Sequence, residues 1–231
     1  MRYCIFIIAF LLSVFSSKAQ EETGLIKNVR AKLDKVNNYK AAGKMKIESS
    51  FINAPASDVQ VLYKKPNKFK IKKTNGVSIL PKGGFNLNLN SFFLNDNYKA
   101  VSAGTKEIKG VLTKAVMLLP LDEKSDVVLM TLYIDEKNAV IRKTSVTTRD
   151  NGSYEMEMEY KKFISYGLPD KITFTFSTKD YKLPKGISME YDNGDTKKEE
   201  KNKSNKGVVE ITYSNYEINK GIDDKEFAEA K

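Results

Sequence analysis

From residue 44 onward the chain alternates apolar and polar positions at a period of two. Met45, Ile47, Ser49 and Phe51 interleave with Lys44, Lys46 and Glu48, and Tyr154, Met156, Met158 and Tyr160 interleave with Glu155, Glu157 and Glu159. Ile172, Phe174 and Phe176 repeat the pattern, as do Ile187, Met189 and Tyr191, then Val209, Ile211 and Tyr213. A strand points successive side chains to opposite faces. Each of these segments therefore has one wet face and one apolar face, which belongs to antiparallel sheets rather than to parallel sheets covered on both sides. Turn signals stand between them: TNG at 74, DEKN at 135, DNG at 150 and DNGD at 192. The pattern predicts roughly nine to eleven strands in one domain, with no internal repeat. A sheet this long must curl or close, because a flat one exposes too much apolar surface. Its concave face is expected to carry the methionines, tyrosines and phenylalanines, and to remain partly a cavity.

Five segments depart from this alternation. In GLIKNVRAKLDKVNNY, Leu25, Val29, Leu33 and Val36 recur at helical spacing with Lys and Asp between them, predicting one helix with a single apolar stripe. The runs VLTKAVMLLP at 111 and VVLMTLYID at 127 are apolar at both parities and are expected in central or covered strands. KGGFNLNLNSFFLND, 82 to 96, has neither period and reads as a loop or short helix over the sheet. DTKKEEKNKSNKG, 195 to 207, reads as a charged hairpin tip.

One strand carries an anomaly. In VLYKKPNKFKI, the odd positions Val61, Tyr63, Lys65, Phe69 and Ile71 share a face, while Leu62, Lys64, Lys68 and Lys70 take the other. Lys65 thus falls among apolar residues, next to Pro66. A buried ammonium is costly without a partner, and a proline in a strand marks an edge, a bulge or an end. Either Lys65 has an inward partner, or a bulge at Pro66 turns it outward.

The first residues, MRYCIFIIAFLLSVFSSKAQ, pair Arg2 with an apolar run from Ile5 to Val14 and small residues at Ser17 and Ala19, the pattern of a signal peptide cut after Ala19. The expected organisation is a signal peptide over 1–19 and a single domain over 20–231. The apolar run is shorter than the about 20 residues that span a bilayer. Cys4, the one cysteine, would leave with the signal, so the exported domain depends on its core and not on disulfides. Removing Arg2 and Lys18 from the 39 basic residues leaves 37 against 29 acidic ones, a net charge of about +8 that favours anionic partners. Export and the scatter of the lysines through strands and turns argue against nucleic acid as that partner.

The chain has no histidine and no tryptophan. That excludes Ser-His and Cys-His nucleophilic systems and most zinc sites, and no phosphate loop or dinucleotide fingerprint is present. Glu155, Glu157 and Glu159 line one strand face, but their alternation with Tyr and Met turns them to water. No catalysis, cofactor or metal is expected. Methionine and aromatic side chains on a concave sheet suit an adaptable apolar binding surface.

The order of elements carries a resemblance. The helix and strand RAKLDKVNNYKAAGKM, the tripeptide region KKPNKF, the late strand GVVEITY and the ending GIDDKEF resemble the periplasmic lipoprotein carrier family of LolA-like proteins. TKEIKGVLTKAVMLLP and LMTLYIDEKNAVIRK are similar to members of that superfamily that handle lipids or sense lipoproteins. The resemblance covers nearly all of the exported chain. It implies an incomplete antiparallel β-barrel with a helical lid over an apolar cavity that receives acyl chains of lipoproteins or other lipids. It further implies a monomer in the periplasm, served by an inner-membrane release complex and an outer-membrane acceptor. The cavity lining would then be Leu25, Val29 and Leu33 from the helix, with Met45, Ile47, Val61, Tyr63, Phe69, Ile71, Tyr154, Met156, Met158, Tyr160, Ile172, Phe174, Phe176, Ile211 and Tyr213 from the strands. Family carriers place an arginine before the strand proline, where it bonds to the lid. Here that place is held by Lys65 before Pro66, and lysine lacks the forked donor set of a guanidinium. Lys65 is expected either to bond lid carbonyls or to counter an anionic head group. The alternative to a carrier is an exported lipid or lipoprotein sensor, or an envelope regulatory protein, of the same fold that passes no cargo on.

Overall fold

Ten strands form one antiparallel sheet: β1 (Asn38–Glu48), β2 (Asn53–Lys64), β3 (Lys68–Lys73), β4 (Tyr98–Ile108), β5 (Val111–Pro120), β6 (Val127–Asp135), β7 (Val140–Thr148), β8 (Ser153–Glu159), β9 (Lys171–Ser177) and β10 (Lys206–Ile218). The structure, a computed structural model, describes residues 24–48, 53–74, 97–150, 152–177 and 206–228. The expected signal peptide, the segment 82–96, the strand around Ile187, Met189 and Tyr191, and the charged run up to residue 205 lie outside the described residues.

The strand order is β3-β2-β1-β10-β9-β8-β7-β6-β5-β4. Every neighbour is also a sequence neighbour except β1 and β10, whose pairing joins the two ends of a long meander. Among the described strands β3 and β4 are the two edges, so the sheet is the expected incomplete barrel, open between them. The β1–β10 seam contains a bulge at Ala42 and Gly43. A Cβ on Gly43 would lie 2.6 Å from the carbonyl oxygen of Thr212, so only glycine allows the two backbones this approach. Bulges increase local twist, which helps a sheet curl.

Among the described residues one α-helix, α1 at residues 24–33, and two short 3-10 helices, Ile164–Tyr166 and Asp224–Phe227, complete the regular structure. Helix α1 ends earlier than the sequence stripe suggests. The amides of Lys35 and Val36 bond to the carbonyls of Lys32 and Leu33, a tightened last turn. Val36 is buried beyond the helix, in the link to β1.

Burial follows parity. β1 buries Tyr39, Ala41, Gly43, Met45 and Ile47 and turns Ala42, Lys44, Lys46 and Glu48 to solvent. Two departures are informative. β5 and β6 were expected in central or covered positions, but β5 is next to the edge strand and exposes Leu112 and Leu119, while β6 exposes Val128. In β5 burial does not sort by parity: Val116 and Leu118 are buried on one face and Thr113 and Ala115 on the other, with Leu112 and Leu119 exposed near the ends. Conversely Leu62, on the polar face of β2, is fully buried and yet outside the main core. It pairs with Lys40 on one side and Lys70 on the other. Both lysines reach the C-terminal segment, Lys40 to Glu226 at 2.6 Å and Lys70 to the carbonyl of Ala228. That segment therefore passes over Leu62 as a strap, fixed also by Lys64 and Lys68 on Asp224. Those two hydrogen bonds lower the Asp224 carboxyl to a pKa of about 2.

Candidate functional site

The apolar members of the strands and of α1 form one core. Leu25, Val29, Leu33, Met45, Ile47, Val61, Tyr63, Met156, Met158, Tyr160, Ile172, Phe174, Ile211 and Tyr213 are buried in it. Phe69, Ile71, Tyr154 and Phe176 are partly buried and pack against it. The register explains why: Met156 opposes Phe174, Phe174 opposes Val209, and Val209 opposes Ile47, so residues from four strands line up in one row on one face. Ile26, outside the stripe read from the sequence, is buried with them.

One end of the face is aromatic. Tyr39 lies 5.3 Å from both Tyr63 and Tyr216, and Tyr216 is 5.0 Å from Tyr213 and 4.9 Å from Phe163. Burial raises the phenol pKa of Tyr39, Tyr213 and Tyr216, so all three stay neutral. The Tyr216 hydroxyl donates to the carbonyl of Pro169 at 2.7 Å, which lets a polar atom sit in an apolar wall.

Helix α1 covers this face. Val29 and Leu33 meet Ala139, Val140, Ile141, Tyr160 and Gly167 along a seam with no space for a water molecule. Gly167 has φ +68°, and a Cβ there would come within 3.2 Å of Leu33, so glycine serves both the turn and the close approach of the helix. A groove of about 350 Å³ lies elsewhere, beside the β1–β10 bulge, lined by Lys44, Asp58, Thr74, Thr212 and Ser214 among others.

Polar contacts hold α1 on two sides. The Lys65 ammonium donates to the carbonyl and the carboxylate of Asp34, both at 2.9 Å. Pro66 beside it is exposed, and the peptide bond between them is cis. The backbone amide of Lys65 bonds to Asn37. Asn219 adds to the same corner: its side-chain oxygen accepts from the amides of Asn37 and Asn38, and its nitrogen donates to the Lys35 carbonyl. Lys65 thus grips the link between α1 and β1.

On the opposite side the Lys32 ammonium donates to the carbonyl of Asn138, in the turn between β6 and β7. Burial lowers the Lys32 pKa, with Lys35 adding to the effect. Asp135 braces that turn. Its carboxylate is nearly fully buried and accepts from Asn138, from the side-chain nitrogen at 2.8 Å and the amide at 3.1 Å, and from Arg142 at 2.7 and 3.1 Å. Burial opposes its charge, but the hydrogen bonds from Asn138 and Arg142 prevail and hold the carboxyl below its ordinary pKa. Arg142 in turn stacks 5.3 Å from the ring of Tyr160, whose hydroxyl donates to Ile141. The DEKN motif marks this turn in the sequence, but nothing local pairs it with Lys32, 106 residues away.

Among the described residues no cluster of histidine, cysteine or carboxylates could hold a metal ion, and no helix is long and apolar enough to cross a membrane. The arrangement can sequester apolar matter if α1 moves.

No protein-family model matches the chain, and no curated protein matches it in sequence. Solved structures do match its fold. An outer membrane lipoprotein-sorting protein domain from Vibrio parahaemolyticus is 10% identical with a TM-score of 0.55, over 90% of this chain and 97% of that one. A DUF1329 family protein from Desulfovibrio piger is 9% identical with a TM-score of 0.57, over 91% and 97%. A LolA superfamily protein from Nitrosomonas europaea is 12% identical with a TM-score of 0.52, over 88% and 97%. The chain has the fold of the lipoprotein-sorting and LolA-superfamily structures.

Proposed function

We propose that the protein is a non-catalytic periplasmic carrier that takes up acyl chains of lipoproteins or other lipids beneath α1 and ferries them toward the outer membrane. The observation that carries this reading is the cover on the apolar face: a short helix packed on it, held by lysine contacts at its C-terminal end. The names of the structural relatives support the cargo class.

Energetics favour a lidded face over a rigid pocket. A three-chain lipoprotein has roughly 45 methylenes, and at about 0.8 kcal/mol each hiding them from water is worth on the order of 35 kcal/mol. Such a cargo cannot pass through water, so uptake, transit and release must each offer apolar surroundings. Direction is then set by small differences at the lid.

The closed seam at Val29 and Leu33 favours a second reading, an exported sensor or envelope regulator that binds lipid or lipoprotein without passing it on. Native mass spectrometry with lipid extraction, on protein purified after export by its own host, separates the two. Copurifying lipoprotein or phospholipid is the expected result. An empty protein in stable complex with an envelope protein would favour the sensor.

A further inference from the structure

The covered face includes a fully buried threonine hydroxyl. Thr144 of β7 is completely buried, and among the described residues its hydroxyl makes no hydrogen bond. The register fixes its place. Thr144 opposes Leu132 on one side and Met156 on the other, in a row that runs Val116, Leu132, Thr144, Met156, Phe174, Val209, Ile47 across seven strands. The other six residues of that row are buried and apolar. Thr144 also lies three positions along β7 from Ile141, which lines the seam under α1.

Valine has almost the shape of threonine and suits a strand at least as well. A buried hydroxyl with no partner destabilises the protein that holds it, and such atoms are rare enough to require a reason. Its place in the buried apolar row, three positions along β7 from Ile141 under α1, supplies one. Resting on the carrier reading above, we infer that Thr144 recognises the carbonyl oxygen of an acyl ester or amide in the cargo, to which its hydroxyl donates once α1 lifts. The site thereby selects acylated ligands over plain hydrocarbon or ether-linked chains of equal length. The hydrogen bond is absent in the closed empty protein and forms only with cargo, so the hydroxyl adds selectivity without holding the lid shut.

The test compares the full chain with Thr144→Val and Thr144→Ser against three fluorescent probes: a diacyl glycerophospholipid, its dialkyl ether counterpart, and a diacylglyceryl lipopeptide. Thr144→Val should bind the two ester probes about fivefold to tenfold more weakly, the worth of one neutral hydrogen bond, and the ether probe within twofold. Its unfolding midpoint should equal or exceed the parent's, because a stranded hydroxyl is gone. Thr144→Ser should keep the ester preference. Loss confined to one ester probe would identify which lipid the carbonyl belongs to. Equal losses for ester and ether probes, or no loss for either, would overturn the role of Thr144 and leave the carrier reading standing. A parent protein that binds none of the three would overturn both.

Discussion

The two lysines that hold α1 make similar contacts with different consequences. Lys65 grips Asp34, four residues before β1 begins, in a corner also tied by Asn219 and by the backbone of Lys65 itself. Lys32 grips Asn138, 106 residues away in the chain and on the other side of the covered face. If the first contact breaks, the chain still keeps Asp34 near Lys65. If the second breaks, Asp34 two residues away still holds this end of α1, but the helix loses its hydrogen bond to the β6–β7 turn. On the carrier reading proposed above, the Lys65 corner would serve as the hinge of α1 and the Lys32 contact as its clasp. Both contacts sit at the C-terminal end of α1, two residues apart.

Three changes break or sharpen this contrast. The largest effect is expected from Asp135→Asn, which leaves Arg142 partly buried beside a neutral partner and loosens the turn that presents Asn138. Removing one member of a buried pair is severely destabilising, and we expect a loss of about 3 kcal/mol in urea unfolding. The same pair gives a pH signature. The folded Asp135 pKa is depressed, so its contribution is present above the unfolded value of about 3.9 and is lost as pH falls through the lower folded value. The stability gap between parent and Asp135→Asn should therefore be constant above about pH 5 and shrink below about pH 4.

Lys32→Met keeps the apolar stem and removes the clasp. A charged donor to a carbonyl is worth roughly 1.5 to 3 kcal/mol when shielded, less for this half-buried side chain, so the open population should rise about tenfold. Amide exchange of α1 should accelerate by that factor. Retention of a fluorescent lipopeptide should rise with it, because a larger fraction of molecules is competent to bind.

Lys65→Leu should do least. Its side chain is 32% exposed and its acidic partner 57% exposed, and such pairs are weak. We expect a gain in lipopeptide retention of about threefold or less. A marked loss instead would make Lys65 the counter-charge of an anionic head group and move the clasp-and-hinge contrast aside.

The face itself was legible in the sequence because its signal is local. Parity along each strand places Met156, Phe174 and Ile211 correctly without any knowledge of neighbours, and a four-residue stripe marks α1. Leu62 and Lys32 were not legible, since each depends on a distant segment: the C-terminal strap for one, the β6–β7 turn for the other. Thr144 was hidden for a different reason. Within RKTSVTT it is one polar β-branched residue among several, and only the register shows that it stands in an apolar row. Val36 misled in the opposite sense, since it continues the helical spacing after the helix has ended and is buried by the link to β1.

The central claim is that α1 leaves the apolar face when an acyl chain arrives. It is tested most directly by a spin-label distance between Lys27→Cys, on the exposed side of α1, and Thr147→Cys, exposed on β7, in a chain with Cys4 replaced by Ser. Without ligand the distribution should be single and short. Saturation with a diacylglyceryl lipopeptide should add a population longer by about 10 Å, one helix diameter, and Lys32→Met should show part of that population already in the empty protein. Lipopeptide bound at saturation with the distance unchanged would contradict the account.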